Sequence, residues 1–538
     1  MNRRRFIQGS LTLAGLCSLG CRQAPSPASP VTGQRKDPNF KQGHRLRKEG
    51  LPTEPSRVER CKGVILGGGI SGLSAGWRWS HAGLEDYRLL ELEKQFGGNS
   101  RALDFPPTSA PIAAHYLPIP NREARAVRRL LREMELLGGS PGSESLDERH
   151  LCHSRQERLH YLGAWYEGLV PKRALSEESL QQWDSFQEHI LAWRSRRDSQ
   201  GRKVFALPLH YSSREEEFLA LDKVSFAHYA QQQGWTDPFL QWMLNYACRD
   251  DFGGTTENCS AWAGLHYFAS RDGGGLGDPD NVLVWPEGNN RLARFLEQKQ
   301  TGKLRGGALV TRVAPSDSGV TVDYLELESG DLVRLEAEVG VFCLPAFVRR
   351  RLVSGCSKVD GFVFQPWVTA NLFLDKMPED QQGPGNIAWD NVVYGSQSLG
   401  YVVATHQSLN TDPTRPTVWT WYRPFPERPA ADVREELLES SWEHWKETVL
   451  LELEDLHPDI RKRCRRLDVT VLGHGMIRPS VGFIWGAELA EARQAQGRLF
   501  YGHGELSGMS LFEESQFRGV AAAEEALGVL NYEYESFL

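Results

Sequence analysis

The residues of this chain best placed to do chemistry are three glycines and one acid. Gly67, Gly69 and Gly72 stand in the spacing G-x-G-x-x-G, directly after the short apolar run Val64 to Leu66 and directly before a helical stretch that continues through Trp79. Each glycine has a physical task. Gly67 permits a tight turn out of a buried strand, Gly69 lets the backbone approach a pyrophosphate, and Gly72 lets the helix pack close to the strand. The first helical residues, Ile70 and Ser71, then offer unpaired N–H groups and the positive end of the helix dipole to phosphates. Gly76, one turn further, extends the close-packing face. A second apolar run, Tyr87 to Leu90, ends at Glu91, roughly twenty residues after Gly69, where an acid meets ribose hydroxyls. An ionised glutamate only accepts hydrogen bonds, so it suits two hydroxyls and repels a 2′-phosphate. Strand, glycine turn, helix, strand and acid, in that order, make a cradle for a dinucleotide.

The residues after Glu91 narrow the choice of nucleotide. Gly97 and Gly98 form a doublet, and Asn99 and Ser100 separate it from Arg101. This run resembles the FAD-binding signature of the flavin-containing amine oxidase superfamily, which also holds protoporphyrinogen oxidases and phytoene desaturases. The resemblance implies that the doublet approaches the diphosphate and that Arg101 pairs with it, although many members carry the arginine directly after the doublet. The segment Ala113-Ala114-His115-Tyr116 is similar to the family's Gly-Ala-x-aromatic segment, with Ala113 in place of the glycine. By that likeness Ala114, His115 and Tyr116 pass beside the isoalloxazine ring. Trp285 to Leu292 resembles the turn that returns the chain to the nucleotide domain, and Val310 would then hold the adenine through its backbone.

The stretch Gly497 to Met509, followed by a helix from Phe512 to Leu527, resembles the family's last motif. Glu505 matches the acid that meets the ribityl or diphosphate region, and the helix start near Ser510 would sit under the pyrimidine edge of the ring. The turn contains no cysteine, so FAD is expected to be held non-covalently. Two departures bear on the reaction. Pro366 to Leu374 lacks the lysine with which amine oxidases hold a water against flavin N5, and Met509 stands where those enzymes commonly place a cage tyrosine.

A two-domain scaffold holds these residues in place. The resemblance covers roughly residues 58 to 530 and implies an α/β fold, a Rossmann-type FAD-binding domain interleaved with an α+β substrate domain. The cofactor domain takes 58–121, 281–345 and 466–538, and the substrate domain takes 122–280 and 346–465. The chain's 538 residues suit two such domains. Residues 122–280 read as amphipathic helices, for example Ala124 to Leu137 and Glu177 to Trp193, while Trp367 to Leu374, Gly400 to Thr405 and Val418 to Trp421 read as strands. Within the first substrate segment, Asp250 and Asp251 have two readings. They form a solvated ion-pair cluster with Arg249, or they line the cavity and recognise a cationic or polar group. Trp262 and His266 share a helix face, which suits a pocket wall and a core equally.

The N-terminus reads as an address. Asn2 to Gln8 resembles a twin-arginine export motif, and the apolar stretch Leu11 to Leu19 is too short to span a bilayer. Ser18 to Cys21 looks like a lipoprotein cleavage box, so residues 1–21 form the signal and Cys21 is a candidate for lipidation. Residues 22–57 are rich in Pro, Ser, Gly and basic side chains without apolar periodicity, the composition of a disordered tether that suits an anionic membrane surface. These features predict an exported, periplasmic protein, lipid-anchored through Cys21, whose partner in transit is the twin-arginine machinery.

The remaining composition excludes more than it suggests. A net charge of −7 is too small to argue for a partner, and the basic run Arg461 to Arg466, between a helix and a strand, reads as a solvated connection and not as a nucleic-acid patch. Seven cysteines after residue 21 are scattered without a C-x-x-C pair, which excludes a zinc site and a disulfide scaffold. The expected chemistry is therefore flavin redox on a small-molecule substrate, an amine among the candidates, with oxygen or a quinone as electron acceptor. A desaturase or isomerase of an apolar or quinone-like substrate and a non-catalytic flavoprotein remain as alternatives. No residue stands out as acid or base. Three histidines, His115, His266 and His503, are candidates because imidazole titrates near working pH.

Overall fold

The computed structural model describes residues 30–47, 50–140, 142–356, 359–408 and 412–538. The signal and Cys21 lie outside these residues. Two seven-stranded sheets organise the chain. In the first, the strand Arg57–Leu66 runs parallel to Tyr87–Leu90 on one side and to Leu332–Phe342 on the other. Leu304–Arg305 and Leu499–Tyr501 extend this parallel layer at its two ends. Val64, Ile65 and Leu66 are fully buried, which is why a continuous apolar run rather than an alternating one forms the central strand. Ala308–Pro315 and Val320–Glu326 complete the sheet as an antiparallel meander on the first half of Leu332–Phe342.

The helix Ile70–His81 covers one face of this sheet and packs against the C-terminal helix Phe512–Val529. The crossing is tight: a Cβ on Gly519 would lie 2.0 Å from the carbonyl oxygen of Ser71. The last helix of the chain is thus locked onto the first helix of the cofactor domain.

The second sheet runs in the order Cys464–Ile477, Phe364–Leu374, Thr417–Pro424, Tyr401–Val403, Asp390–Val393, Glu157–Tyr161 and Ala164–Glu167. All its neighbours are antiparallel except Asp390–Val393, which pairs in parallel with Glu157–Tyr161. The strands Glu157–Tyr161 and Ala164–Glu167 come from the 122–280 segment, where the sequence reads as helical. Their apolar residues are too few to carry a period-2 signal, and non-local pairing decides. Alternation sorts the two faces of Phe364–Leu374, the second strand in that order. Val368, Ala370, Leu372 and Leu374 pack under the helices Ala430–Glu439 and Trp442–Glu454. On the opposite face Thr369 donates its hydroxyl to Ile112 O (2.6 Å), and Asn371 Nδ2 donates to Pro111 O (3.0 Å). Those contacts tie the substrate sheet to the cofactor-domain segment that leads into Ala113.

The expectation of a disordered tether over 22–57 fails for the described part. Residues 30–37 lie parallel along the edge of Cys464–Ile477, with bridges Thr32 to Arg466 and Arg35 to Val469. Thr32 N donates to Arg465 O and Lys36 N to Val469 O, while Asp37 Oδ1 accepts from Val471 N. Asn39 N then donates to Glu93 Oε1 (2.6 Å) in the cofactor domain. An open sheet edge, with its row of unpaired donors and acceptors, orders a segment whose composition alone would leave it free. In the run Arg461 to Arg466, Arg461, Arg463, Arg465 and Arg466 all form intramolecular ion pairs.

Candidate functional site

The glycine turn has the geometry its spacing predicts. Gly67 has φ +102, and a Cβ there would meet Cys343 O at 2.7 Å. A Cβ on Gly72 would lie 1.8 Å from Gly67 O, so helix and strand meet backbone to backbone. Above Gly69 the nearest atom to such a Cβ is Gly98 Cα at 4.0 Å. The space over the turn therefore belongs to neither the strand nor the helix. Gly69 is the N-cap of Ile70–His81 and supplies no side chain, so the N–H groups of Ser71 and Gly72 have no partner within the helix, while that of Ile70 faces Gly97 across the bridge between Gly69 and Gly97. Gly76 meets a different neighbour: its Cβ would sit 1.8 Å from Gln300 Oε1.

Glu91 is fixed from both sides. Gly68 N donates to Oε2 (2.6 Å) and Glu93 N to Oε1 (2.9 Å), while burial pushes the carboxyl pKa upward. The doublet closes on the turn through Gly97 N donating to Gly68 O at 2.8 Å. Gly97 and Gly98 both have positive φ, which glycine adopts without strain. Arg101 sits beside the doublet, but its Nε donates to Gly98 O (3.0 Å) and its guanidinium pairs with Glu93 (3.3 Å). It braces the loop that would meet the diphosphate. Val310 lies at a bulge in the meander, two residues beyond Ala308, whose N–H donates to Glu91 O.

The C-terminal motif is packed more tightly than the sequence suggests. Glu505 is 3% exposed, accepts from Ala346 N through Oε1, and is pushed up to about 8 by burial. It caps the helix Ala346–Leu352 at the corner beside Cys343. Ser510 Oγ accepts from Ile477 N (3.0 Å), which joins the motif to the substrate sheet. His503 Nδ1 accepts from Glu505 N, and burial lowers its pKa to about 4, so the ring is neutral. Its side chain nonetheless keeps 32% of its surface, deep within the molecule. That surface faces an internal space. His115 is similar: half-buried, lowered to about 4 by desolvation, with Nδ1 buried and unpartnered among the described residues.

Two expected site residues belong to the core instead. Trp262 is fully buried, and His266, at 2% exposure, spends Nε2 on Ala206 O (3.0 Å) and stacks on Trp262. The shared helix face is a core face, because Phe205 and Trp485 pack against it. His266 is lowered to about 3 by burial and has no access to a substrate.

Asp250 and Asp251 are neither solvated nor ion-paired with Arg249, which donates to carbonyls of Ser396 and Gln397. They end the helix Pro238–Phe252 inside a cavity whose other acids the sequence does not reveal. Asp390 and Glu157 are direct register partners on the two parallel strands, so both side chains point to one face. Burial, and then the charge of Glu157, pushes Asp390 to about 8. Glu157 rises to about 7 by burial and the charge of Asp280, and Asp251 rises to about 6 by burial. Asp250, which senses Asp251, Asp390 and Glu157, is also driven upward, chiefly by burial. Tyr116, Tyr246, Tyr267 and Tyr422 complete the walls, and all four sense Asp250. Tyr422 donates to Asp390 (3.3 Å), and its ring lies 5.0 Å from that of His115. The one cation among these groups, Arg271, is paired with Glu513 (3.1 Å) on the first turn of the C-terminal helix. The acids thus form a row with aromatic walls, reaching from Glu157 to the His115–Tyr116 segment.

Residues 65–134 match the NAD(P)-binding Rossmann-like domain. No curated protein matches the sequence. Among solved structures the chain is similar to wild-type putrescine oxidase bound to putrescine, at 15% identity and a TM-score of 0.62, over 88% of this chain and 100% of the other. It is also similar to cyclohexylamine oxidase from Brevibacterium oxydans IH-35A, at 13% identity and a TM-score of 0.61, over 86% and 99%. A CLA-producing fatty acid isomerase from P. acnes aligns at 14% identity and a TM-score of 0.60, over 88% and 99%. At these identities the likeness is one of fold: a mixed α/β protein with a Rossmann-like domain, built like the amine oxidases.

Proposed function

We propose that this protein is an FAD-dependent oxidoreductase that oxidises a small cationic amine. The observation that carries the reading is the row Asp251, Asp250, Asp390 and Glu157, enclosed by tyrosines, where four acids face one cation among the described residues, Arg271, which is shared with Glu513. Buried carboxylates without counter-charge are costly, and an ammonium group relieves that cost. A carboxylate or quinol substrate would leave the acids uncompensated, which counts against the desaturase and isomerase alternatives. Cyclohexylamine oxidase and putrescine oxidase, the latter with putrescine bound, share the fold.

The residues present suit FAD. The open approach over Gly69, the N–H groups of Ser71 and Gly72, and the fixed carboxylate of Glu91 supply places for diphosphate and ribose. Tyr116 lies beside the acids and His115 beside Tyr422, with His115 Nδ1 buried and unpartnered among the described residues, while Ala114 spends its N–H on Asn99 O and its carbonyl on Asn289 N. Bound FAD would supply hydride acceptance at N5. The chain's own part is to hold the ammonium group against Asp250 and Asp390, to exclude water with Tyr116, Tyr246, Tyr267 and Tyr422, and to accept the substrate proton. Asp251, near 6, is largely ionised at neutral pH and can take that proton, while Asp390, near 8, is largely protonated there until a bound ammonium favours its carboxylate. The absence of cysteine from the 497–509 turn supports non-covalent binding, and the electron acceptor is oxygen or a quinone.

Anaerobic mixing with a panel of mono- and diamines, amino acids and quinols tests the reading. Bleaching of the bound flavin by amines, with peroxide on readmission of oxygen, is the expected result. Bleaching by quinols alone overturns the amine assignment, and no bleaching by any compound favours a non-catalytic flavoprotein. The export reading rests on Arg3 and Arg4 and is a separate proposal. Replacing both by lysine keeps the charge but removes specific recognition, so flavin-loaded precursor should accumulate in the cytoplasm instead of reaching the periplasm. Lipidation at Cys21 predicts membrane-bound mature protein, released by Cys21→Ser.

A further inference from the structure

Away from the cradle and the acidic cavity, three guanidinium groups converge without a carboxylate partner. Arg493 donates through Nε to Leu506 O (2.7 Å), and Arg518 donates through Nε to Ser507 Oγ (2.8 Å). Neighbouring residues of one turn therefore anchor two arginines by their stems and leave both terminal forks unspent. Arg214 reaches the same place from the substrate domain. Its guanidinium lies 4.1 Å over the Trp485 ring, and one Nη donates to His210 O (3.2 Å).

None of these three arginines has a carboxylate within 4.0 Å among the described residues. Two acids act on Arg518 from further away: Glu514, whose Oε1 accepts from Leu209 N (2.5 Å), and Glu525, and burial raises the pKa of both. Arg493 Nη2 is buried and unpartnered among the described residues. Burial and the neighbouring Arg518 and Arg214 lower Arg493 to about 9, and burial with Arg518 lowers Arg214 to about 10. Burial first, and then Arg518, Arg214, Arg493 and Arg202, lower the pKa of His210. Like charges gathered with donors to spare are a cost to the folded chain unless an anion joins them.

The geometry points to a binding site for a tetrahedral oxyanion at Arg214, Arg493 and Arg518: a phosphate group, free or esterified on a larger molecule. Planar forks match phosphate oxygens two at a time, and three forks from separate directions suit a tetrahedral anion better than a planar carboxylate. Trp485 and Phe517, against which Arg214 and His210 pack, form an apolar wall on which an esterified ligand could rest. The site joins the two domains, since Arg214 belongs to the substrate segment and Arg493 and Arg518 to the last cofactor segment. It does not depend on the amine reading.

Titration calorimetry of the protein as purified, with inorganic phosphate and with glycerol 1-phosphate, tests the site. Saturable binding of phosphate is expected, weakened at least tenfold by Arg493→Gln and severalfold by Arg214→Gln. Arg214 keeps much of its surface exposed, although its guanidinium is partly desolvated over Trp485, and it makes one hydrogen bond among the described residues, so that variant should fold even if Arg493→Gln does not. Tighter binding of the ester than of phosphate assigns the site to a larger phosphorylated ligand, and equal binding assigns it to free phosphate. The inference is overturned if phosphate gives no more heat than chloride at equal ionic strength. It is overturned equally if both variants bind phosphate like the wild type, which would place the anion elsewhere, the dinucleotide turn included.

Discussion

Replacing Gly69 by valine should separate cofactor binding from folding. Its backbone, at φ −74, accommodates any residue, and a Cβ there touches no protein atom closer than 4.0 Å. The variant should purify colourless and melt like the wild type stripped of flavin, as read by flavin absorbance and calorimetry; a yellow variant would remove the cradle from this turn. Asp390 offers a second test. Its carboxyl titrates near 8 in the folded chain and near 4 when unfolded. Between those values the folded state binds more protons than the unfolded state, so stability falls as pH rises from about 4 to about 8. Glu157, near 7, adds to the same slope. Asp390→Asn should flatten the decline, leave the protein more stable than wild type at pH 8, and raise the KM for amines. A pH series of melting midpoints that is equally steep in both proteins would contradict the cavity electrostatics.

Among the elements, the cofactor half of the site is legible in the sequence because its signals are local. The strand, glycine turn, helix and acid occupy one short stretch, so periodicity and spacing find them. The acids of the substrate cavity are only half legible. Asp250 and Asp251 stand out as a pair, but Asp390 and Glu157 become neighbours only through parallel pairing of strands more than two hundred residues apart. No local pattern encodes that register. Trp262 and His266 show the converse error, since a shared helix face cannot say whether it meets a cavity or a core, and Phe205 and Trp485 decide for the core. The crossing of the first and last helices carries its own prediction. Gly519→Val places side-chain atoms against Ser71 O and should destabilise the protein by about 3 kcal/mol, measured by denaturant unfolding. An unaffected midpoint would mean that the helices can part without cost.

Across the molecule as a whole, the edge-bound segment 30–37 changes what the N-terminal region can do mechanically. If the chain is tethered from a point before residue 30, any pull arrives along a strand that lies parallel to Cys464–Ile477. Such a load is shared in shear by the hydrogen bonds from Thr32 to Asp37 together, instead of being met one bond at a time as in an unzipping loop. Beyond them the next holding point is Asn39 on Glu93, and Glu93 also pairs with Arg101 beside the glycine doublet. Tension that outlasted the strand would therefore be felt first at the mouth of the nucleotide cradle, and under such a tether the segment would act as a strain relief for the cradle.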